Sequence, residues 1–258
     1  MSRGGPNRVA LWTTLAWIGL IVSGALTTGL LRAPVSHPSV VPFAYQSHRF
    51  AGTLVGVLGL TQLIHPARRN GQNWFGAALI GGTVALGWLS AASLEPRAVI
   101  AHAFMAAVAT VSLSSVASVA PESPLSAARP RARWITVSAQ LAVGLVSAQV
   151  AVGAMLRHQQ IGLTSHLVVG GLAVVVLLAP AVAILQDEAA RAVERRVARW
   201  AITAVVFQVA LGVAVLLMIL IGPPSVTAWL AATVAHVTVG TLTLVAAARF
   251  LFTLSWRW

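Results

Sequence analysis

The chain alternates between long apolar runs and short polar connectors. Eight apolar runs cover roughly 9–31, 44–64, 74–92, 98–118, 134–156, 161–185, 200–221 and 226–250. An α-helix rises about 1.5 Å per residue, so about 20 residues cross the hydrocarbon core of a bilayer. No run shows the two-residue alternation of a membrane barrel strand, and a helix satisfies its backbone polar groups within itself. The connectors carry the helix breakers: Pro34, Pro38, Pro66, Pro96, Pro121, Pro124, Pro130 and the Pro223-Pro224 pair. The fold class expected is an all-α integral membrane protein with eight transmembrane helices.

Composition agrees. Apolar residues make up 58% of the 258 positions and charged residues 9%, with a mean hydropathy of +0.85. A soluble domain is nearer about a quarter charged. The net charge of +12 comes from 17 basic residues, all arginine. Most of them sit in the connectors, which is the pattern that orients helices in a membrane rather than a groove for nucleic acid. The absence of cysteine excludes disulfides and thiolate metal sites. The first apolar run is too long for a signal-peptide core and reads as a retained helix.

The arginines give an orientation. Arg3, Arg8, Arg68, Arg69, Arg129, Arg131, Arg133, Arg191, Arg195, Arg196, Arg199 and Arg257 fall on one side of the eight-run topology; Arg32, Arg49, Arg97 and Arg157 fall on the other. The richer side is expected to be cytoplasmic, with both termini inside a cell inner (plasma) membrane. Trp74, Trp134 and Trp200 open odd-numbered runs on that side, where an aromatic belt belongs. The connector 186–199 is the most polar stretch and reads as a solvated charge run, or else as a short cytoplasmic helix end.

The two halves repeat. Gly19-Leu20-Ile21-Val22-Ser23 and Gly29-Leu30-Leu31-Arg32 in the first run match Gly144-Leu145-Val146-Ser147 and Gly153-Ala154-Met155-Leu156-Arg157 in the fifth. Two tandem four-helix bundles follow, residues 1–125 and 126–258, related by an axis along the membrane normal.

Each even-numbered run carries one histidine: His48, His102, His166 and His236. The first and third sit in the similar strings Ser47-His48-Arg49-Phe50-Ala51-Gly52 and Ser165-His166-Leu167-Val168-Val169-Gly170. A polar ring inside a bilayer is costly and needs a partner. Four rings in matching places form two pairs, and paired imidazoles in a helix bundle are a usual way to hold haem iron. A proton relay would need carboxylates within the runs, which have none, and copper would favour methionine or cysteine nearby. His37, His65 and His158 lie at the ends of the runs and read as interfacial. Gly52 and Gly170 follow a histidine by one turn, on the same helix face, leaving room for a flat macrocycle or for close helix packing. Arg49 and Arg157, at the histidine end, suit haem propionates or lipid phosphates.

Eight runs, two halves and one histidine per even run resemble the haem A synthase family over nearly the whole length. The closest local match is His48-Arg49, where the family has a Glu-x-x-His-Arg type motif; the glutamate position is Tyr45 here. The resemblance implies haem b held by His166 and His236. It implies haem O, or a second haem, in the N-terminal half, facing His48 and His102 with Tyr45 as the third catalytic position. It implies an oxidoreductase that converts haem O to haem A by oxidising a ring methyl group. The implied partners are haem O as substrate, the lipid bilayer, and haem O synthase or terminal oxidase subunits, with homo-oligomerisation left open and no nucleic acid. The family's outer-loop cysteine pairs are missing.

A second class stays open: a non-catalytic haem b subunit that transfers electrons in a membrane respiratory complex. A cytochrome b wire stacks its haems across the bilayer, with ligands about 13–14 residues apart on one helix. Here each even run gives one histidine near the same end, and the spacing from His48 to His65 does not fit that pattern. A transporter with parallel repeats is a third class, but the runs lack the charged or broken centres that transport needs.

Overall fold

The computed structural model describes residues 8–30, 40–64, 71–93, 95–117 and 132–255. Among them are eight helices and no strand: α1 (Arg8–Leu30), α2 (Val40–Ile64), α3 (Gly71–Ser93), α4 (Pro96–Ala117), α5 (Arg133–Arg157), α6 (Leu163–Gln186), α7 (Ala192–Ile221) and α8 (Val226–Ser255). Every apolar run has become one helix. Pro96 opens α4 at the first helical position, where its missing N–H costs nothing. Pro223 and Pro224 lie in the short turn between α7 and α8.

Six of these helices are long and apolar enough to cross a membrane: α1, α4, α5, α6, α7 and α8. In α3 the described apolar stretch is the shorter Gly76–Ser90. In α2 the polar string Tyr45-Gln46-Ser47-His48-Arg49 dilutes the apolar character. The apolar helices are those of a multi-pass membrane protein. Large apolar side chains face outward, among them Leu217, Ile219, Leu220 and Ile221 on α7, as a lipid-facing surface requires.

α1 packs on α2 and α4, and α3 packs on α2 and α4. In the same way α5 packs on α6 and α8, and α7 packs on α6 and α8. The two quartets meet where α1 and α4 touch α8 and α4 touches α5. Two buried clusters form, one among α1–α4 and one that joins α5–α8 with Ala107 of α4. The first is built from Trp17, Val55, Ala77, Ile80, Ala109 and Leu113. The second is larger and rich in alanine, with Ala139, Ala142, Ala181, Ala198, Ala201 and Ala247 among its members. Small side chains let helix backbones approach closely, the main route to tight packing where lipid removes the hydrophobic drive.

These clusters leave one end of each quartet to the histidines. Val55 follows His48 by seven residues and Leu113 follows His102 by 11, which places both clusters beyond the rings along the helix axes. In the second quartet Leu177 follows His166 by 11 residues and Leu244 follows His236 by eight. Trp17 ties α1 to α4 by donating its indole N–H to the Ala106 carbonyl at 3.1 Å. Buried threonines return their hydroxyl protons to the preceding turn: Thr83 to Leu79, Thr110 to Ala106 and Thr243 to Val239.

Of the two readings of connector 186–199, the helix end holds for residues 192–199, which form the start of α7. α7 begins at Ala192 because Glu194 accepts the Arg191 backbone N–H at 2.7 Å and its guanidinium at 3.2 Å. An acid three residues inside a helix start satisfies an otherwise unpaired donor and meets the positive end of the helix dipole. Arg191 also reaches the Thr253 carbonyl at 3.2 Å, pinning α8. Arg195 donates to the Asp187 and Glu188 carbonyls at 2.8 and 2.9 Å.

Candidate metal centres

The four histidines form two pairs, one in each quartet. The His48 and His102 ring centres are 6.3 Å apart, with planes at 83°. Those of His166 and His236 are 6.2 Å apart, with planes at 67°. Among the described residues no group of three or more His, Cys, Asp or Glu side chains converges, so each centre is a pair of imidazoles alone. α2 starts earlier than the apolar run suggests, so His48 lies eight residues inside its helix, about 12 Å at 1.5 Å per residue.

Each ring rests on a glycine of the preceding helix. A Cβ placed on Gly24 would stand 2.8 Å from His48 Cε1, and one on Gly87 would stand 3.0 Å from His102 Cε1. The corresponding distances for Gly153 to His166 and Gly212 to His236 are both 3.2 Å. These four glycines were not singled out from sequence. Attention to the histidine strings favours Gly52 and Gly170, on the histidines' own helices, whereas the seats lie on the neighbouring ones. Their signal is a glycine in the histidine half of every odd helix, which in α1 does not by itself separate Gly24 from Gly29.

The seats pair in a different register from the matching strings. The matching strings align Gly29 with Gly153, but the geometry makes Gly24 the counterpart of Gly153, five residues earlier. Apolar strings of glycine, leucine and valine align about equally well when shifted by roughly one turn, because small and large residues recur at helical spacing.

The partners of the ring nitrogens differ between the pairs. Ser23 Oγ lies 2.9 Å from His48 Nδ1 and donates its own proton to the Leu20 carbonyl at 2.8 Å. His102 Nδ1 lies 2.8 Å from the Thr83 carbonyl. In the second quartet Gln149 Nε2 is 3.1 Å from His166 Nδ1 and 3.2 Å from its Nε2, while donating to the His166 carbonyl at 3.0 Å. Gln208 Nε2 is 3.3 Å from His236 Nε2. Neither glutamine is marked by the sequence pattern alone, because each lies on an odd helix.

The other expected site residues surround these pairs. Gly170 faces Gln149, whose Nε2 would be 2.9 Å from an added Cβ, so a carboxamide fills that niche. Gly52 faces Leu20 at 3.6 Å. The Arg49 guanidinium stacks on the Trp88 ring at 3.9 Å and lies 5.8 Å from the Tyr45 ring. Cation–π contact of this kind holds a charge at the rim of an apolar bundle. The Tyr45 hydroxyl is buried without a hydrogen-bond partner. Arg157, at the end of α5, donates to the Ala25 carbonyl on α1 at 3.1 Å, bridging the two quartets. Arg97 is exposed, and His158 caps the end of α5 through its backbone N–H. His37, His65 and Arg32 lie outside the described residues. Trp134 and Trp200 are exposed, as belt residues are.

No family model, curated protein or solved structure matches the chain. Its functional reading rests on its own residues.

Proposed function

We propose that the protein is a haem-binding membrane oxidoreductase of the haem A synthase type, an eight-span chain of two tandem four-helix bundles with one haem between each histidine pair. The observation that carries this reading is the spacing of the rings. Two imidazoles sharing one metal atom at about 2 Å each have ring centres roughly 6 Å apart. Both pairs meet that spacing, at 6.3 and 6.2 Å. Two imidazoles suffice when a macrocycle supplies the remaining ligands, which is haem ligation rather than zinc or copper ligation. The glycine seats add support, since each fixes its ring against a neighbouring helix.

In this reading His166 and His236 hold haem b, and His48 and His102 face haem O or a second haem. Bound haem supplies a redox-active iron. The chain's own residues bind, orient and shield it. Ser23 and the Thr83 carbonyl orient the first pair, leaving Nε2 of each ring for the metal. Arg49, braced on Trp88, offers a planar cation to a propionate. The packed clusters beyond the rings exclude water from one side of each site. The arginine asymmetry supports cytoplasmic termini in a cell inner membrane.

The experiment is extraction and chromatography of haems from the purified protein, with spectra of the histidine variants. Haem O or haem A should accompany haem b, and His166→Ala or His236→Ala should abolish a low-spin haem signal. A preparation without haem, or a low-spin signal that survives loss of both histidines, overturns the reading.

One observation favours a second reading, a non-catalytic haem b electron-transfer subunit. Tyr45 stands at the motif's glutamate position with its hydroxyl unpartnered, and no Asp or Glu occurs between residues 1 and 94. Tyrosine has a phenol where the motif has a carboxylate, so the acidic group of the motif is missing at that position. Co-expression with a source of haem O separates the two. Haem A formed by the native protein supports the synthase; haem A absent from native and Tyr45→Glu forms alike, with haem b bound, supports the electron-transfer subunit.

A further inference from the structure

The junction between the quartets carries a groove of about 540 Å³ between α1 and α8. Val22 and Leu26 form its α1 wall, and Leu230, Ala231, Val234 and Ala235 lie on its α8 wall. Along α8 it runs from Thr227, in the first turn, to Val239. Val239 follows Thr227 by 12 residues, about 18 Å at 1.5 Å per residue. That is close to the depth of one leaflet, half of a hydrocarbon core about 30 Å thick. The walls suit a hydrocarbon chain rather than a polar head. Thr238, one of the two threonines that line the groove, gives its hydroxyl proton to the Val234 carbonyl at 2.8 Å.

A cation stands at one end of this groove. Arg157 is the last residue of α5, and an arginine at the end of a spanning helix reaches the level of the lipid headgroups. Its guanidinium crosses to α1, where Nη2 donates to the Ala25 carbonyl at 3.1 Å. Gly29 shows how near the charge is to the groove. A Cβ added there would stand 2.6 Å from Leu230 Cδ2, on the α8 wall, and 3.7 Å from Arg157 Nη2. Leu230 follows Thr227 by three residues, so the charge lies at the Thr227 end. A planar guanidinium binds phosphate oxygens by a two-pronged contact. From sequence Arg157 suits a haem propionate or a lipid phosphate; an apolar groove one leaflet deep beside it favours the phosphate.

We infer that the α1–α8 groove binds one anionic phospholipid, with its phosphate on Arg157 and one acyl chain laid along the groove toward Val239. The headgroup meets a positive side chain at headgroup level, and the chain meets apolar walls over one leaflet. Arg157 belongs to the second quartet and Ala25 to the first, so the lipid bridges the two and holds their junction. The inference rests on membrane residence and not on the haem reading.

The test is mass spectrometry of the intact full-length protein after extensive detergent washing, followed by titration in mixed micelles of phosphatidylglycerol or phosphatidylcholine. Native protein should retain one phospholipid per chain and bind phosphatidylglycerol more tightly than phosphatidylcholine. Added phosphatidylglycerol should raise its melting temperature. Arg157→Ala should weaken phosphatidylglycerol binding about tenfold, the loss of one contact to a charged group. Ala231→Phe, which fills the groove with a ring, should abolish binding of both lipids. Val213→Phe, on the exposed face of α7, should leave binding unchanged. No saturable lipid, equal affinity for the two lipids, or native binding in Ala231→Phe overturns the inference. A dimer that forms without lipid and is lost in Ala231→Phe gives the groove to a second copy and overturns it. Loss of haem in Arg157→Ala with phosphatidylglycerol binding intact assigns Arg157 to a propionate and overturns it as well. If Arg157→Ala does not fold, the headgroup preference of native protein and the Ala231→Phe result decide.

Discussion

Gly24→Ala tests the histidine seats most sharply, because it adds one methyl group at a defined distance. The new Cβ would stand 2.8 Å from His48 Cε1 and 3.3 Å from its Nε2. Carbon atoms pack best at about 3.5–4.0 Å, so the ring must retreat by roughly 0.7 Å or more. The retreat disturbs the contact of His48 Nδ1 with Ser23, now 2.9 Å, and changes the 6.3 Å separation from the His102 ring. Overpacking of this kind costs about 1–3 kcal/mol, against a gain of about 0.5–1 kcal/mol from replacing glycine by alanine in a helix. The net strain falls on the ring, and about 1.4 kcal/mol is tenfold in affinity. If haem binds as proposed, its affinity for the His48–His102 site should therefore fall by about tenfold, with the His166–His236 site untouched. Gly19→Ala is the control, since an added Cβ there meets nothing within 4 Å; it should leave haem binding unchanged and raise thermal stability slightly. Haem titration followed by the low-spin spectrum, with melting in parallel, reads both variants. Native affinity in Gly24→Ala would refute the argument that the glycine exists to seat the ring.

Two other outcomes are expected. Reporter fusions should place both termini and the 186–199 connector in the cytoplasm, on the side richer in arginine; a C-terminus on the far side would refute the eight-span topology. Glu194→Ala should lower the melting temperature by the equivalent of about 3 kcal/mol, since it strips a nearly buried carboxylate from Arg191 and frees the start of α7; unchanged melting would show that Thr253 alone holds Arg191.

Helix formation and membrane residence were legible in the chain because they depend on local quantities. Run length, apolar content and proline position determine where helices begin and end, and all eight runs became helices, with α7 starting eight residues before its apolar run. The partnership of the histidines was legible for a related reason: one ring per even run at a matching depth constrains which rings can meet. The start of α7 was read mainly as solvated charge, because a run of arginine and glutamate looks solvated until Thr253 and the Asp187 carbonyl are brought beside it.

What only the tertiary structure decided lies on the facing helices. The seats Gly24, Gly87, Gly153 and Gly212 precede their histidines by 13 to 24 residues, a separation that no helical periodicity relates. The same is true of Gln149 and Gln208, and of Trp88 beneath Arg49. A sequence pattern reports which face of one helix a residue occupies. Which residue of the next helix it touches depends on the relative slide and rotation of the two, and that is set by side-chain packing along their whole shared length.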